Sequence, residues 1–163
     1  MAGERGWIPM TNLMSHHVRT LWQKVEEGAA TTGREADRHQ LRIGREVYVG
    51  ETPESAREEA RIVLGRPFDE HQWLNRKAQG NLRYVKLDPT MADEAVDVDY
   101  MMENVWIVGD PQECADKIRQ LHQEVGGFGN LLAITQDPDD HSLMQSSLRL
   151  LMEEVAPRVA DLS

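Results

Sequence analysis

The chain has 163 residues, 40% hydrophobic and 28% charged, which suits one globular core and is too short for a complete (β/α)8 barrel of about 250 residues. Its 18 Lys and Arg stand against 28 Asp and Glu, for a formal net charge of −10. That field repels phosphate backbones and anionic bilayers, so neither nucleic acid nor a membrane is an expected partner.

In chain order, Trp7-Ile8-Pro9-Met10 is a first short apolar run. Val18, Leu21, Trp22, Val25 and Ala29 then fall on one face of a 3.6-residue period, and Gly33 is placed to end that helix. Leu41, Ile43, Val47 and Val49, with Arg45 among them, alternate as one buried face of a strand. Thr52 is an N-cap with Pro53 at the first helical position, and Ala56, Ala60 and Val63 point inward. Gly65-Arg66-Pro67 is expected to break that helix. Residues 65–103 read as an irregular insertion, partly helical, lying over the surface and carrying the acidic segment Asp93–Asp99.

Val105–Val108 is a short apolar strand. Asp110, Pro111 and Glu113 form the clearest helix start, with Glu113 closing a capping box. Cys114, Ile118, Leu121 and Val125 make its inward stripe, and Gly126-Gly127 stops it. Leu131–Ile134 reads as a strand apolar on both faces, as in a helix-covered parallel sheet. Ser142 and Gln145 suggest another capping box, Met144, Leu148, Leu151 and Val155 the inward face, and Pro157 the end of the last helix. Strands alternating with amphipathic helices give an α/β fold with parallel pairing and right-handed crossovers.

Few residues carry chemistry by their spacing. Gly109-Asp110-Pro111 puts an aspartate where an anion would bind, so it reads as a cap rather than a phosphate turn. Gly126-Gly127-Phe128-Gly129 follows a helix and precedes a strand, the reverse of a dinucleotide fingerprint. His16 and His17 point about 100° apart on a helix and cannot share a metal by themselves. Asp137, Asp139, Asp140 and His141 could hold a hard cation but read as caps of the next helix, so no metal site is assigned. Trp22 and Trp106 read as core, and the glutamate pairs 26-27, 58-59 and 153-154 as solvated faces. The one cysteine, Cys114, lies on an apolar helix face and reads as a small core residue. A single thiol, no 18-residue apolar run and no signal-peptide pattern fit a cytoplasmic location. In parallel α/β folds the chemistry sits at the C-terminal ends of strands, here Pro9–Asn12, Gly50–Thr52 and Thr135–Asp137.

Arg5-Gly6-Trp7-Ile8-Pro9-Met10, Tyr48-Val49-Gly50-Glu51-Thr52-Pro53-Glu54-Ser55-Ala56-Arg57 and Asn104-Val105-Trp106-Ile107-Val108-Gly109-Asp110-Pro111, continued by Phe128-Gly129-Asn130-Leu131-Leu132, carry a likeness. In this order they resemble the C-terminal part of the luciferase-like flavin-dependent monooxygenases, the group called limonene-monooxygenase-like. The resemblance implies that residues 1–163 are the last three units of a (β/α)8 TIM barrel, an incomplete barrel with an insertion at about 65–103. It implies reduced FMN, supplied by a flavin reductase, or less often F420, used with O2 to oxygenate a small apolar substrate. Most flavin contacts in the family come from the first five units, so no catalytic residue is carried over and no tight cofactor binding is expected of this chain alone. Met10, Thr11 and Asn12 become candidate cofactor or substrate pocket residues, with Pro9 shaping their turn and Thr135 and Gln136 joining from the last strand. The expected partners are a homo-oligomer or a missing N-terminal half, and the chain alone is expected to be inactive. The alternative is a non-catalytic oligomerisation module derived from the barrel.

Overall fold

In the computed structural model, residues 1–136 and 141–162 are described. Helix α1 (Ala2–Arg5) packs on α2 (Ser15–Ala30), with strand β1 (Met10–Thr11) between them in sequence. Strand β2 (Arg42–Val49) leads into α3 (Pro53–Ala60). Helices α4 (Trp73–Ala78) and α5 (Val98–Asn104) follow, then β3 (Ile107–Gly109), α6 (Pro111–Val125), β4 (Asn130–Ile134), α7 (His141–Leu150) and α8 (Ala156–Arg158).

Strand β2 is the hub of an open parallel sheet. It pairs with β1 (Met10 opposite Arg42, Thr11 opposite Ile43), with β4 (Arg42–Glu46 opposite Asn130–Ile134) and with β3 (Val47–Val49 opposite Ile107–Gly109). Successive residues of a strand direct their backbone groups to opposite edges, so parity sorts the partners. Arg42 N–H donates to Pro9 O and Gly50 N–H to Gly109 O, placing β1 and β3 one after the other on one edge. Gly129 N–H donates to Leu41 O, and Val49 N–H donates to Ser147 Oγ at 2.8 Å, so the other edge carries β4 and then α7.

Between β1 and β3 the backbone of β2 has no strand beside it. Arg45 fills the gap: its guanidinium donates to Gly44 O at 2.7 Å and to Leu13 O at 2.6 Å. This explains a buried arginine within an otherwise apolar alternation.

The odd residues Leu41, Ile43, Val47 and Val49 pack against Val18, Trp22 and Val25 of α2 and Cys114, Ile118 and Leu121 of α6. This is the helix-covered face, and each such aliphatic contributes roughly 2 kcal/mol. A second core surrounds Tyr48 on the opposite face, with Ala56, Ala60, Phe68, Leu82, Val96, Met101 and Trp106. Residues 65–103 therefore do more than lie over the surface: Phe68, Leu82, Val85 and Val96 are buried, while Leu74 and Leu87 remain exposed.

Gly65-Arg66-Pro67 does not break the helix. Helical backbone runs from Pro53 to Ala78 through two π-turns, Arg61–Gly65 and Phe68–Gln72. Arg66 N–H donates to Arg61 O and Trp73 N–H to Phe68 O, a wide register that accommodates the missing N–H of Pro67. Gly65 is needed because an added Cβ would lie 2.9 Å from Val98 Cγ1.

Two cap readings also change. Asp110 accepts from Glu113 N–H at 2.8 Å, but the Glu113 carboxylate turns to Arg57 at 3.2 Å and does not close the box. The closed box is at α3, where Thr52 and Ser55 each accept from the other's backbone N–H. Ser142 lies inside α7 and so is not its cap. The last helix continues from α7 through a π-turn at Leu151–Val155 into α8 and ends at Arg158, one residue after Pro157. Gly126 and Gly127 have positive φ (78° and 98°), as the turn after α6 requires.

Candidate pocket at the inner sheet face

The register of β2 divides the candidate residues between two faces. Met10 stands beside Arg42, and alternation puts it with Arg42, Gly44, Glu46 and Tyr48 on the face turned away from α2 and α6. Asn12 joins them: a Cβ added to Gly44 would lie 3.7 Å from Asn12 Cβ and 3.1 Å from Ile134 Cδ1. Asn12 from one edge and Ile134 from the other thus converge over a glycine floor.

Thr11 alternates to the opposite side, and its Oγ1 accepts from Leu13 N–H at 3.2 Å, which tightens the turn after β1. Pro9 lines a small pocket of about 40 Å3 with Trp7, Trp22 and Ala36, behind the sheet. Its carbonyl serves the sheet through Arg42 N–H. The sheet therefore brings Met10 and Asn12 to one surface and separates Pro9 and Thr11 from it, while Thr135 and Gln136 follow the end of β4. Met10 is 69% exposed and Ile134 half-buried, so the surface is open. Strand β4 is half-covered, not apolar and buried on both faces.

Four inner-face residues of β2 lie outside the sequence-based candidates: Arg42, Gly44, Glu46 and Tyr48. Tyr48 is fully buried; its hydroxyl lies 2.8 Å from Glu59 Oε2, to which it donates, and 3.3 Å from Leu143 O. Burial, and then the bond to Glu59, push its pKa up, so the phenol stays neutral. It ties α3 and α7 over the C-terminal end of β2. Glu46 is 7% exposed and makes no hydrogen bond or ion pair with the described residues. The signal for these residues was present: the positions between Leu41, Ile43, Val47 and Val49 include an arginine, a glycine, a glutamate and a tyrosine.

Two further clefts lie on the helix side. One of about 250 Å3 is lined by Ser15, Arg45, Trp106, Lys117 and Glu124. There Lys117 donates to Met102 O and Val108 O, and burial lowers its pKa. The other, about 290 Å3 and mainly apolar, lies over β4 between α6 and the last helix, near Leu131, Met152 and Val159. Neither includes Met10, Asn12 or Gln136. Among the described residues no group of three His, Cys, Asp or Glu could hold a metal, and no helix is long and apolar enough to cross a membrane. Asp137, Asp139 and Asp140 lie outside the described residues.

A family model described as luciferase-like monooxygenase matches residues 1–127. The chain is 27% identical to 3,6-diketocamphane 1,6-monooxygenase of Pseudomonas putida over 98% of its own length and 43% of that protein. It is 28% identical to limonene 1,2-monooxygenase of Rhodococcus erythropolis over 83% of its length and 33% of that protein. The chain thus spans under half the length of these curated relatives. The solved oxygenating constituent of 3,6-diketocamphane monooxygenase from Pseudomonas putida, in complex with FMN, superposes with a TM-score of 0.87 at 25% identity, over 96% of this chain and 44% of that one. A coenzyme F420-dependent tetrahydromethanopterin reductase from Methanopyrus kandleri, at 18% identity and a TM-score of 0.53, shares the fold alone.

Proposed function

Because the chain belongs to the luciferase-like monooxygenase family, we propose that it is the C-terminal part of a flavin-dependent monooxygenase of small apolar substrates, catalytic only when the remaining β/α units are present. The observation that carries this reading is the inner face, where Met10, Asn12, Gly44 and Ile134 form an open, mostly apolar surface beside strand ends. The FMN complex of a structure superposing at 0.87 favours FMN over F420. Reduced FMN, supplied by a reductase, would bring the electrons with which O2 is activated.

The residues present fit one wall of a flavin site. The amides of Asn12 and Gln136 can hydrogen-bond the polar edge of a ring system. Met10 and Ile134 would shield the substrate from water. The phosphate would be gripped elsewhere, since the N-termini of α3 and α6 are already capped by Thr52 and Asp110. Tyr48 holds the scaffold, keeping its proton and donating a hydrogen bond to Glu59. A cytoplasmic setting suits the buried single thiol.

The test is a titration of the purified chain with FMN, followed by flavin fluorescence, alone and with the complementary N-terminal portion of a relative. We expect no saturable binding by the chain alone and micromolar binding by the combination. A stable homo-oligomer that binds no flavin in either setting would favour a non-catalytic oligomerisation module.

A further inference from the structure

We propose that the cleft over β4, between α6 and the last helix, is a binding site for one compact, neutral, apolar molecule carrying a single polar group. Leu131 lies opposite Ile43, on the helix-covered side of the sheet. The cleft is therefore on the face away from Met10 and Asn12 and does not depend on the flavin reading. Its volume is about 290 Å3. At the roughly 30 Å3 that a water takes in the liquid, that is room for roughly ten non-hydrogen atoms. A helix, about 10 Å across, would not enter it.

The walls come from this chain. Leu131 of β4 forms the floor, Ile118 and His122 of α6 one side, and Leu151 and Val155 of the last helix the other. The C-terminal turn Ala160–Leu162 adds Leu162 and is tied to α6. Arg119, next to Ile118, meets the Asp161 carboxylate through two bonds of 2.9 and 2.7 Å and also donates to Arg158 O. This bidentate geometry fixes the turn against α6. Gly129, Ala133 and Ala156 line the cleft without filling it, and Met152, 66% exposed, stands at its opening. The lining has no Asp, Glu, Lys or Arg, so an ionic ligand would lose its hydration without a counter-charge. The net charge of −10 disfavours anions further. His122 is the one titratable side chain of the lining; its ring meets Phe128 edge-on at 5.1 Å between centroids and makes no hydrogen bond with the described residues. An imidazole can donate from one nitrogen and accept at the other, which suits one hydroxyl or carbonyl on an otherwise apolar ligand.

The test is calorimetric titration of the purified chain, without flavin, with 2-naphthol, naphthalene and 2-naphthalenesulfonate, which share one ring system and differ in the polar group. Saturable one-to-one binding of 2-naphthol is expected below about 1 mM, with the sulfonate at least about tenfold weaker. Ala156→Phe, which fills the cleft from the last helix, should weaken 2-naphthol at least about tenfold with the far-UV circular dichroism unchanged. His122→Phe keeps an apolar ring of similar size; it should weaken 2-naphthol about fivefold and leave naphthalene unchanged. Met10→Lys, on the opposite face, should alter neither. No binding of 2-naphthol, equal binding of the sulfonate, indifference to both cleft variants, or loss of binding in Met10→Lys would each overturn the proposal. The outcome of the FMN titration bears on the flavin reading alone and leaves this site standing.

Discussion

Cys114 shows how a single position follows from its surroundings. It is fully buried on α6, with Sγ 3.4 Å from Gly109 O, and burial pushes its thiol up to about 12. A thiol that holds its proton is a poor nucleophile. Iodoacetamide at pH 8 should therefore leave the native chain unlabelled and label it once urea unfolds it; rapid labelling of the native chain would refute the assignment. The pH dependence has a definite sign. The folded pKa lies above the ordinary 9.0, so Cys114 contributes stability that is present below pH 9 and lost as pH rises towards 12. Lys117, lowered by burial, acts in the opposite sense. Cys114→Ala should accordingly lose less stability than the wild type between pH 9 and 12, measured by urea unfolding. The core role of Cys114 was legible from helical spacing. The burial of Glu46 was not, because alternation places a residue on a face without saying what covers that face.

At the scale of elements, helix starts were the most legible feature. Asp110 accepts from Glu113 N–H and Pro111 follows it, as the local residue types dictate. Asp110→Ala should cost about 1 kcal/mol in urea unfolding; no change in midpoint would mean that water caps α6 equally well. The return bond of Glu113 was not legible, because Arg57, 56 positions away, competes for its carboxylate. Pro67 teaches the same lesson. Its neighbours spell a helix break, yet π-turns and the approach of Val98 to Gly65 keep the backbone helical. Ser142 misled because the Ser-x-x-Gln spacing recurs inside helices as well as at their starts.

At the scale of the whole molecule, one strand organises everything. Strand β2 has neighbours on both edges, whereas β1 and β4 have strand partners on one. Hydrogen exchange of the isolated chain should therefore be slowest at Ile43–Val49 and faster in Met10–Thr11 and along β4. Uniform protection across all four strands would indicate that a second copy already covers the open edges.

The sequence by itself determined the α/β class, the caps Thr52 and Asp110, the helix-facing stripes and the family, since each rests on residue types at short, fixed spacings. Only the tertiary structure decided that Asn12 and Ile134 meet over Gly44, that Thr11 and Pro9 turn away, and that Arg45 bridges a gap in the sheet. Those outcomes depend on strand register, and a shift of one residue reverses every side chain's face. Register is fixed by which strands become neighbours, through contacts between residues far apart in the chain.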